Sequence, residues 1–418
     1  MSKTLMIKAM ALGAVACAFS ATGFAADVQN GHGQGIADST TEVNGAKHEA
    51  VRSSWMDRTD VVVGVGMKDS KETHSQHHYV GESSMRHDDL NTVTSKSLKS
   101  TEINKLYIET LQPITHYDEN AKSVVFVQGR IGRSGEKISS RALNNYWVPA
   151  RPAGTFITHD KQTDKKESLG MNANIGIGYR RLSKGEHAYV GVNAFYDHVF
   201  KGGYKRVSGG VEYVAGLNEF HANLYRNLGT DDRKYIGLRG RSNVLGDPAG
   251  LYPYGLDSNQ GLFNYGVVSY ENHWMLSEKV AASGFDVGYS RTFKNARWAR
   301  VYADYYNWRG REAVRVGYHK LKKRDAIKGF KVGAEFHITP HLTLDAGYQT
   351  ASHHLSGPYA TLKYTIGTSK FAWHGGKHSE NAITTARSKM LDKVHRSDMV
   401  VQEVEEETYD HGVVDVGL

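Results

Sequence analysis

Between residues 168 and 350 apolar and polar side chains alternate residue by residue, segment after segment. Leu169, Met171, Ala173, Ile175, Ile177 and Tyr179 interleave with Gly170, Asn172, Asn174, Gly176, Gly178 and Arg180. Phe330, Val332, Ala334, Phe336 and Ile338 interleave with Lys331, Gly333, Glu335, His337 and Thr339. A period of two means a strand with two chemically different faces. Many segments of about ten residues, one face apolar and the other polar, are the signature of a transmembrane β-barrel. A soluble sandwich shares the period, so other features must decide.

Past the N-terminus no run of about 18 apolar residues exists, which excludes helical membrane spans. The mean hydropathy of −0.51 suits a barrel, because half of each strand faces a polar lumen. Residues 1–25 read as a signal peptide: Lys3 and Lys8, an apolar stretch over 9–19, and Gly23-Phe24-Ala25 as the cleavage site. A lipoprotein signal using Cys17 is the weaker rival, since Ala14-Val15-Ala16-Cys17 lacks the leucine. Cleavage leaves a chain without cysteine, which needs no disulfide in an oxidising compartment. Residues 26–58 read as a disordered periplasmic segment. The net charge of +8 is scattered, without a Lys/Arg-rich block, and points to anionic lipid or lipopolysaccharide rather than nucleic acid.

Twelve strands are expected, over 59–68, 104–112, 123–132, 168–180, 187–198, 205–215, 218–228, 284–293, 297–306, 329–339, 342–350 and 359–366. Connection lengths support the count. Long connections (69–103, 133–167, 229–283, 307–328) follow odd strands and tight turns follow even ones, as in barrels with short periplasmic turns. Residues 312–319 also alternate. Counting them as a span would break this parity, so they are assigned to an extension of the ninth strand's hairpin. Residues 234–241 and 265–270 are expected to be strand pieces within the seventh loop.

The outward face should carry Val190, Val192, Ala194, Val207, Val211, Phe285, Val287, Tyr289, Leu342, Leu344 and Ala346. The lumen should receive Asn172, Asn174, Arg180, Asn193, Asp197, Glu212, Asn223, Arg300, Asp304, Glu335 and Lys363, with Asp345 beside them. Both signs of charge on one face imply ion pairs across a wet lumen, so Val192→Arg should do far more harm than Asn193→Arg. Tyr179, Tyr189, Tyr196, Tyr225, Tyr289, Tyr306, Tyr348 and Tyr364 lie near strand ends and suggest aromatic girdles.

Several runs resemble the β-barrel domain of the inverse autotransporters, the intimin and invasin family. These are Gly176-Ile177-Gly178-Tyr179-Arg180-Arg181-Leu182, Gly191-Val192-Asn193-Ala194-Phe195-Tyr196-Asp197, Arg206-Val207-Ser208-Gly209-Gly210-Val211-Glu212-Tyr213 and Ala222-Asn223-Leu224-Tyr225. The run from Met390 to Val401 is similar to the linker that follows the family's barrel. The resemblance implies an all-β, twelve-stranded antiparallel transmembrane barrel over 59–367 in the Gram-negative outer membrane. Its linker, within 368–418, threads up the pore towards an adhesive passenger. The resemblance also implies outer-membrane assembly machinery and periplasmic chaperones as partners, and a host-surface receptor. Three departures stand out: no passenger follows Leu418, no LysM-like module is evident in 26–58, and Tyr359 stands where relatives carry glycine.

Residues 382–396 read as a helix with Ile383, Met390, Leu391 and Val394 on one stripe. Its length of roughly 22 Å would fill a lumen beside an apolar band about 25 Å tall. Glu403, Glu405, Glu406 and Glu407 form an acidic run that Arg180, Arg300 and Lys363 could guide outward. A free periplasmic tail is the alternative.

No catalytic or metal-binding set is expected, and no cofactor. His74, His77 and His78 share a loop and His353 adjoins His354, yet none has a ligand framework around it. Glycines such as Gly64 and Gly66 lie inside strands, not before helices, so they cradle no phosphate. The expected protein is therefore a non-enzymatic translocator barrel, with a passenger-less structural barrel or porin-like channel as the alternative.

Overall fold

The computed structural model describes residues 54–417 apart from 81–87, 119, 151–154, 230–231, 237–240, 246–264, 311, 313, 317–318, 322–324, 353–355, 368–372 and 374–385. The signal-peptide assignment, most of 26–58, and His353 with His354 lie outside the described residues.

Twelve strands close into an antiparallel barrel. They are β1 (Thr59–Val80), β2 (Asp88–Pro113), β3 (Ser123–Arg133), β4 (Met171–Leu182), β5 (Ala188–Val199) and β6 (Lys205–Ala215). β7 (Asn218–Asn227), β8 (Gly284–Phe293), β9 (Ala296–Trp308), β10 (Ile327–His337), β11 (Leu342–Gln349) and β12 (Gly357–Thr365) complete the wall. Each pairs with its successor, and β12 returns to β1 with Asp60 opposite Thr365 and Val65 opposite Ala360. Closure satisfies every wall strand on both edges, which a bilayer core without water demands. Among the described residues no helix is long and apolar enough to cross a membrane.

Exposure follows the alternation. In β4 Met171, Ile177 and Tyr179 are exposed while Asn172, Asn174 and Arg180 are buried. Val190, Val192 and Val211 are exposed between buried Asn193, Asp197 and Glu212. Leu169 departs from the expected face. β4 starts two residues later, at Met171, and Leu169 is buried in a cluster with Val199, Ala281, Met399 and Val401.

The aromatic girdle also needs correction. Tyr179, Tyr289, Tyr348 and Tyr364 are exposed on the wall, but Tyr189, Tyr225 and Tyr306 are buried in the lumen. Their β-face, not their position near a strand end, decides this. At the tight-turn end Tyr213, Phe220 and Tyr289 form a contiguous aromatic surface.

Among the described residues the long loops are largely sheet. β1 has 22 residues, about twice the 9–11 a span requires. Its outer half pairs with β2 on one side and with Thr155–Ser168 on the other. The latter strand pairs with Glu136–Ala150. Residues 69–80 and 88–103 are therefore not merely a connection but continue two wall strands past the membrane. In the seventh loop Asp232–Ile236 and Arg241–Leu245 both pair with Tyr265–Ala281. Among the described residues Val314–Val316 pairs only with His319–Leu321, in a separate two-stranded sheet after β9.

Candidate functional site

The lumen is filled by the chain's own residues 386–399. These run from the tight-turn end, where Arg387 donates to the Ala121 carbonyl at 2.8 Å, to the loop end, where Glu136 N–H donates to the Met399 carbonyl at 3.0 Å.

The helical expectation for 382–396 fails over its described part, 386–396; residues 382–385, with Ile383, lie outside the described residues. No helix longer than a single 3-10 turn, Ala386–Lys389, exists in the described part, and 390–399 follow as a turn, a bend and irregular backbone. The wall takes the backbone groups a helix would pair internally. Arg180 donates to the carbonyls of Met390 (2.8 Å) and Asp392 (2.6 Å), and Asn223 to that of His395 (3.0 Å). Arg206 donates to the Ser397 carbonyl at 3.0 Å. In the other direction Val394 N–H donates to Gln128 Oε1 (2.9 Å) and Ser397 N–H to Tyr225 Oη (2.8 Å). A buried linker with its backbone satisfied in this way has no need of i→i−4 bonds.

Three layers hold the linker. At the turn end Ala386, Met390, Leu391 and Val394 pack on Leu111, Val124, Phe126, Leu182, Tyr189, Phe195 and Val214. The lumen is therefore not polar throughout; it has an apolar floor. Gly178 and Gly176 make room for that floor. A Cβ on them would come within 2.3 Å of the Phe126 ring and 2.2 Å of the Phe195 ring. At the loop end Met399, Val400 and Val401 sit in an apolar collar with Leu169, Val199, Tyr306 and Trp308.

Charges occupy the layer between and its edges. Each linker cation meets a wall or turn carboxylate: Arg387 with Glu186 (2.8 Å), Lys389 with Glu219 (2.6 Å), Lys393 with Asp60, and Arg396 with Asp197 (2.6 Å). Asp398 reverses the pattern, meeting Lys105 at 3.0 Å and Arg130 at 2.7 Å. This complementarity escaped the sequence reading. Its signal was present: Arg387, Lys389, Lys393 and Arg396 form a basic run opposite a lumen already assigned several acids.

The expected lumen residues take different parts. Fully buried Arg180 forms a two-pronged pair with Glu212, at 2.5 and 3.0 Å, and lies over the Phe126 ring. Asp197 receives both Arg206 and Arg396. Arg300 bridges Glu219 and Glu335 and touches His395, and Lys363 donates to Glu335 at 3.0 Å. The basic trio Arg180, Arg300 and Lys363 is therefore matched by wall carboxylates, not free to draw the acidic tail. Asn174, with its amide oxygen turned inward, accepts from Arg130 at 2.9 Å. Asn172 secures the rim by bonding Ser134. Asp304 lies 3.7 Å from His221, whose ring packs 5.9 Å from that of linker His395. Asn193 is buried, and its Nδ2 has no partner among the described residues. A cavity of about 250 Å³ remains on the β9–β12 and β1–β2 side, lined by Lys105, Asp304, Lys331, Asp345 and Lys363 among others.

His74 stacks on and bonds His159 at 3.0 Å, a residue of the neighbouring strand. Among the described residues no three His, Cys, Asp or Glu side chains come together as a metal set.

Glu186 marks the turn-end latch. Its backbone sits in the left-handed region at φ 58°, a conformation costing roughly 1–2 kcal/mol for an L-residue. Hydrogen bonds from Arg387 and Lys122 hold its carboxyl down, from an ordinary 4.5 to about 2. A depressed carboxyl pKa gives stabilisation that is complete above about pH 4.5 and lost as pH falls towards 2. Linker protection at Arg387, read by proteolysis of the barrel in detergent, is therefore expected to weaken between pH 4.5 and 2. Glu186→Gln should already show the weakened state at neutral pH. An unchanged pattern in Glu186→Gln would remove the latch from the account.

No curated protein matches this sequence. One solved structure, described as "Unveiling the Mechanism Behind the in-meso Crystallization of Membrane Proteins", superposes with a TM-score of 0.44 at 14% identity. The match covers 82% of this chain and 100% of that one, a likeness too distant to carry weight. The profile of the inverse autotransporter β-domain matches residues 157–398, from the loop-end hairpin through nine wall strands to the last linker anion, Asp398. With more than half its length matched, and with a closed twelve-stranded wall, the chain belongs to the inverse autotransporter family of outer-membrane β-barrel translocator domains.

Proposed function

We propose that this barrel anchors itself in the outer membrane after cleavage of its signal peptide and exports its own C-terminal segment through the pore. One observation carries the reading. Residues 386–399 run the length of the lumen, and 400–417 continue as a strand among the loop-end strands. The polar middle of the wall, with carboxylates spaced for the linker's cations, supplies a path for an unfolded chain. The apolar floor and collar then close the path once the linker is seated. Lipopolysaccharide at the loops, assembly machinery and chaperones belong to this reading. So does attachment to a host surface through the outer sheet and the acidic tail.

A porin-like channel is the second reading, favoured by the cavity of about 250 Å³ beside the linker. Planar-bilayer conductance separates the two. The full chain is expected to show small or no steps, and a form ending at Gly367 large stable ones. Equal conductance in both would favour the channel and overturn the translocator.

A further inference from the structure

Residues 400–417 do more than leave the pore. They lie between two loop strands that would otherwise each present a bare edge. On one side Tyr265–Ala281 runs antiparallel to them in unbroken register, from Tyr265 opposite Gly417 to Ala281 opposite Val401. On the other side Glu136 to Asn144 runs parallel, from Val400 opposite Glu136 to Thr408 opposite Asn144. The parallel strand belongs to a sheet that continues through Thr155–Ser168 into the outer half of β1 and β2. The tail therefore joins two otherwise separate loop sheets into one.

The slot also has a charge code. Side chains two apart along a strand share a face. On that face Glu403 meets Lys137 at 3.6 Å and Tyr204 Oη at 2.6 Å, Glu405 meets Lys279 at 3.3 Å, and Glu407 meets Arg141 at 2.6 Å. The cations come from both bordering strands. An acidic residue at every second position is thus matched in register, and a one-residue slip would turn all three carboxylates to the other face.

We infer that the outer loops form a strand-acceptor slot selective for an extended acidic segment, and that it captures residues 400–417 in cis as they emerge. Each residue zipped into the slot is withdrawn from the pore, so capture makes export one-way. This rests on the translocator reading. Main-chain pairing on an open edge supplies the affinity and alternate side chains the selectivity, as in strand-addition recognition generally. Bare edges are a hazard for edge-to-edge association, and the tail removes both.

The test uses the full chain in cells, in a Cys17→Ser background with an epitope after Leu418. Val280→Cys with Gln402→Cys, partners in register, is expected to form a disulfide in most molecules. Glu278→Cys with Gln402→Cys, displaced by two, is expected to form little. Glu403→Lys, Glu405→Lys and Glu407→Lys together should abolish most of the 280–402 cross-link. Adding Lys137→Glu, Arg141→Glu and Lys279→Glu should restore it. Heat-modifiable migration in each variant verifies that the wall has folded. A surface-accessible epitope without the in-register cross-link, or with both cross-links equal, overturns the slot while leaving export standing. Undiminished cross-linking by the lysine tail overturns its charge selectivity. An epitope reached only after permeabilisation overturns capture and export together.

Discussion

Glu212→Ala is expected to destabilise the barrel by about 3–5 kcal/mol, because it leaves Arg180 charged and buried without its partner. Arg180 is fully buried beneath the linker, stacked between Phe126 and Tyr189. Its guanidinium cannot turn towards water when the carboxylate goes. The urea midpoint of unfolding in lipid vesicles reads this loss. A double change, Arg180→Met with Glu212→Leu, is expected to recover most of it, since apolar replacement of a buried pair is often neutral. The double variant should nonetheless leak in bilayer recordings. Arg180 also donates to the Met390 and Asp392 carbonyls, and neither Met nor Leu can replace those bonds. Recovery of stability with a closed pore would mean that Arg180 supports the wall and does not seat the linker.

Val192→Arg is expected to cost about 2–4 kcal/mol by placing a charge near the bilayer midplane. Val192 is 53% exposed on the outer wall of β5, with exposed Val190 and Val211 nearby. The sequence suggested Asn193→Arg as the harmless counterpart. The structure withdraws that expectation. Asn193 is buried, and a Cβ at facing Gly210 would lie 2.7 Å from its Oδ1. An arginine there would overpack a filled lumen, at about 1–3 kcal/mol. Gln349→Arg is the better control, because Gln349 lines the open cavity. Heat-modifiability midpoints are expected to fall sharply for Val192→Arg and little for Gln349→Arg. Equal falls would refute the assignment of faces.

The wall was legible because lipid imposes a rule the chain must obey at every residue. The alternation of β4, with Ile177 and Tyr179 out and Asn174 and Arg180 in, is local information. The tight turns between β6 and β7 and between β8 and β9 are local as well. Beyond the membrane that rule lapses. The outer halves of β1 and β2 carry Lys71, Glu72, Thr94 and Lys96, with water available to both faces, so no apolar period marks them. The linker was misread for the opposite reason. Ile383, Met390, Leu391 and Val394 do suit a helical stripe. The groups that decide otherwise, Gln128, Arg180, Arg206 and Asn223, lie some 170–270 residues away in sequence. Its cations were visible as a run, but their partners Asp60, Asp197 and Glu219 come from three different strands or turns.

The central claim is that the chain passes from the turn end through the barrel and emerges among the loops. Single cysteines in the Cys17→Ser chain, one at Leu418 and one at Lys294 in the tight turn between β8 and β9, test it directly with a membrane-impermeant maleimide. Intact cells are expected to label at 418 and not at 294, and permeabilised cells at both. Labelling at 418 that appears only after permeabilisation, together with 294, would put the tail in the periplasm and contradict the account.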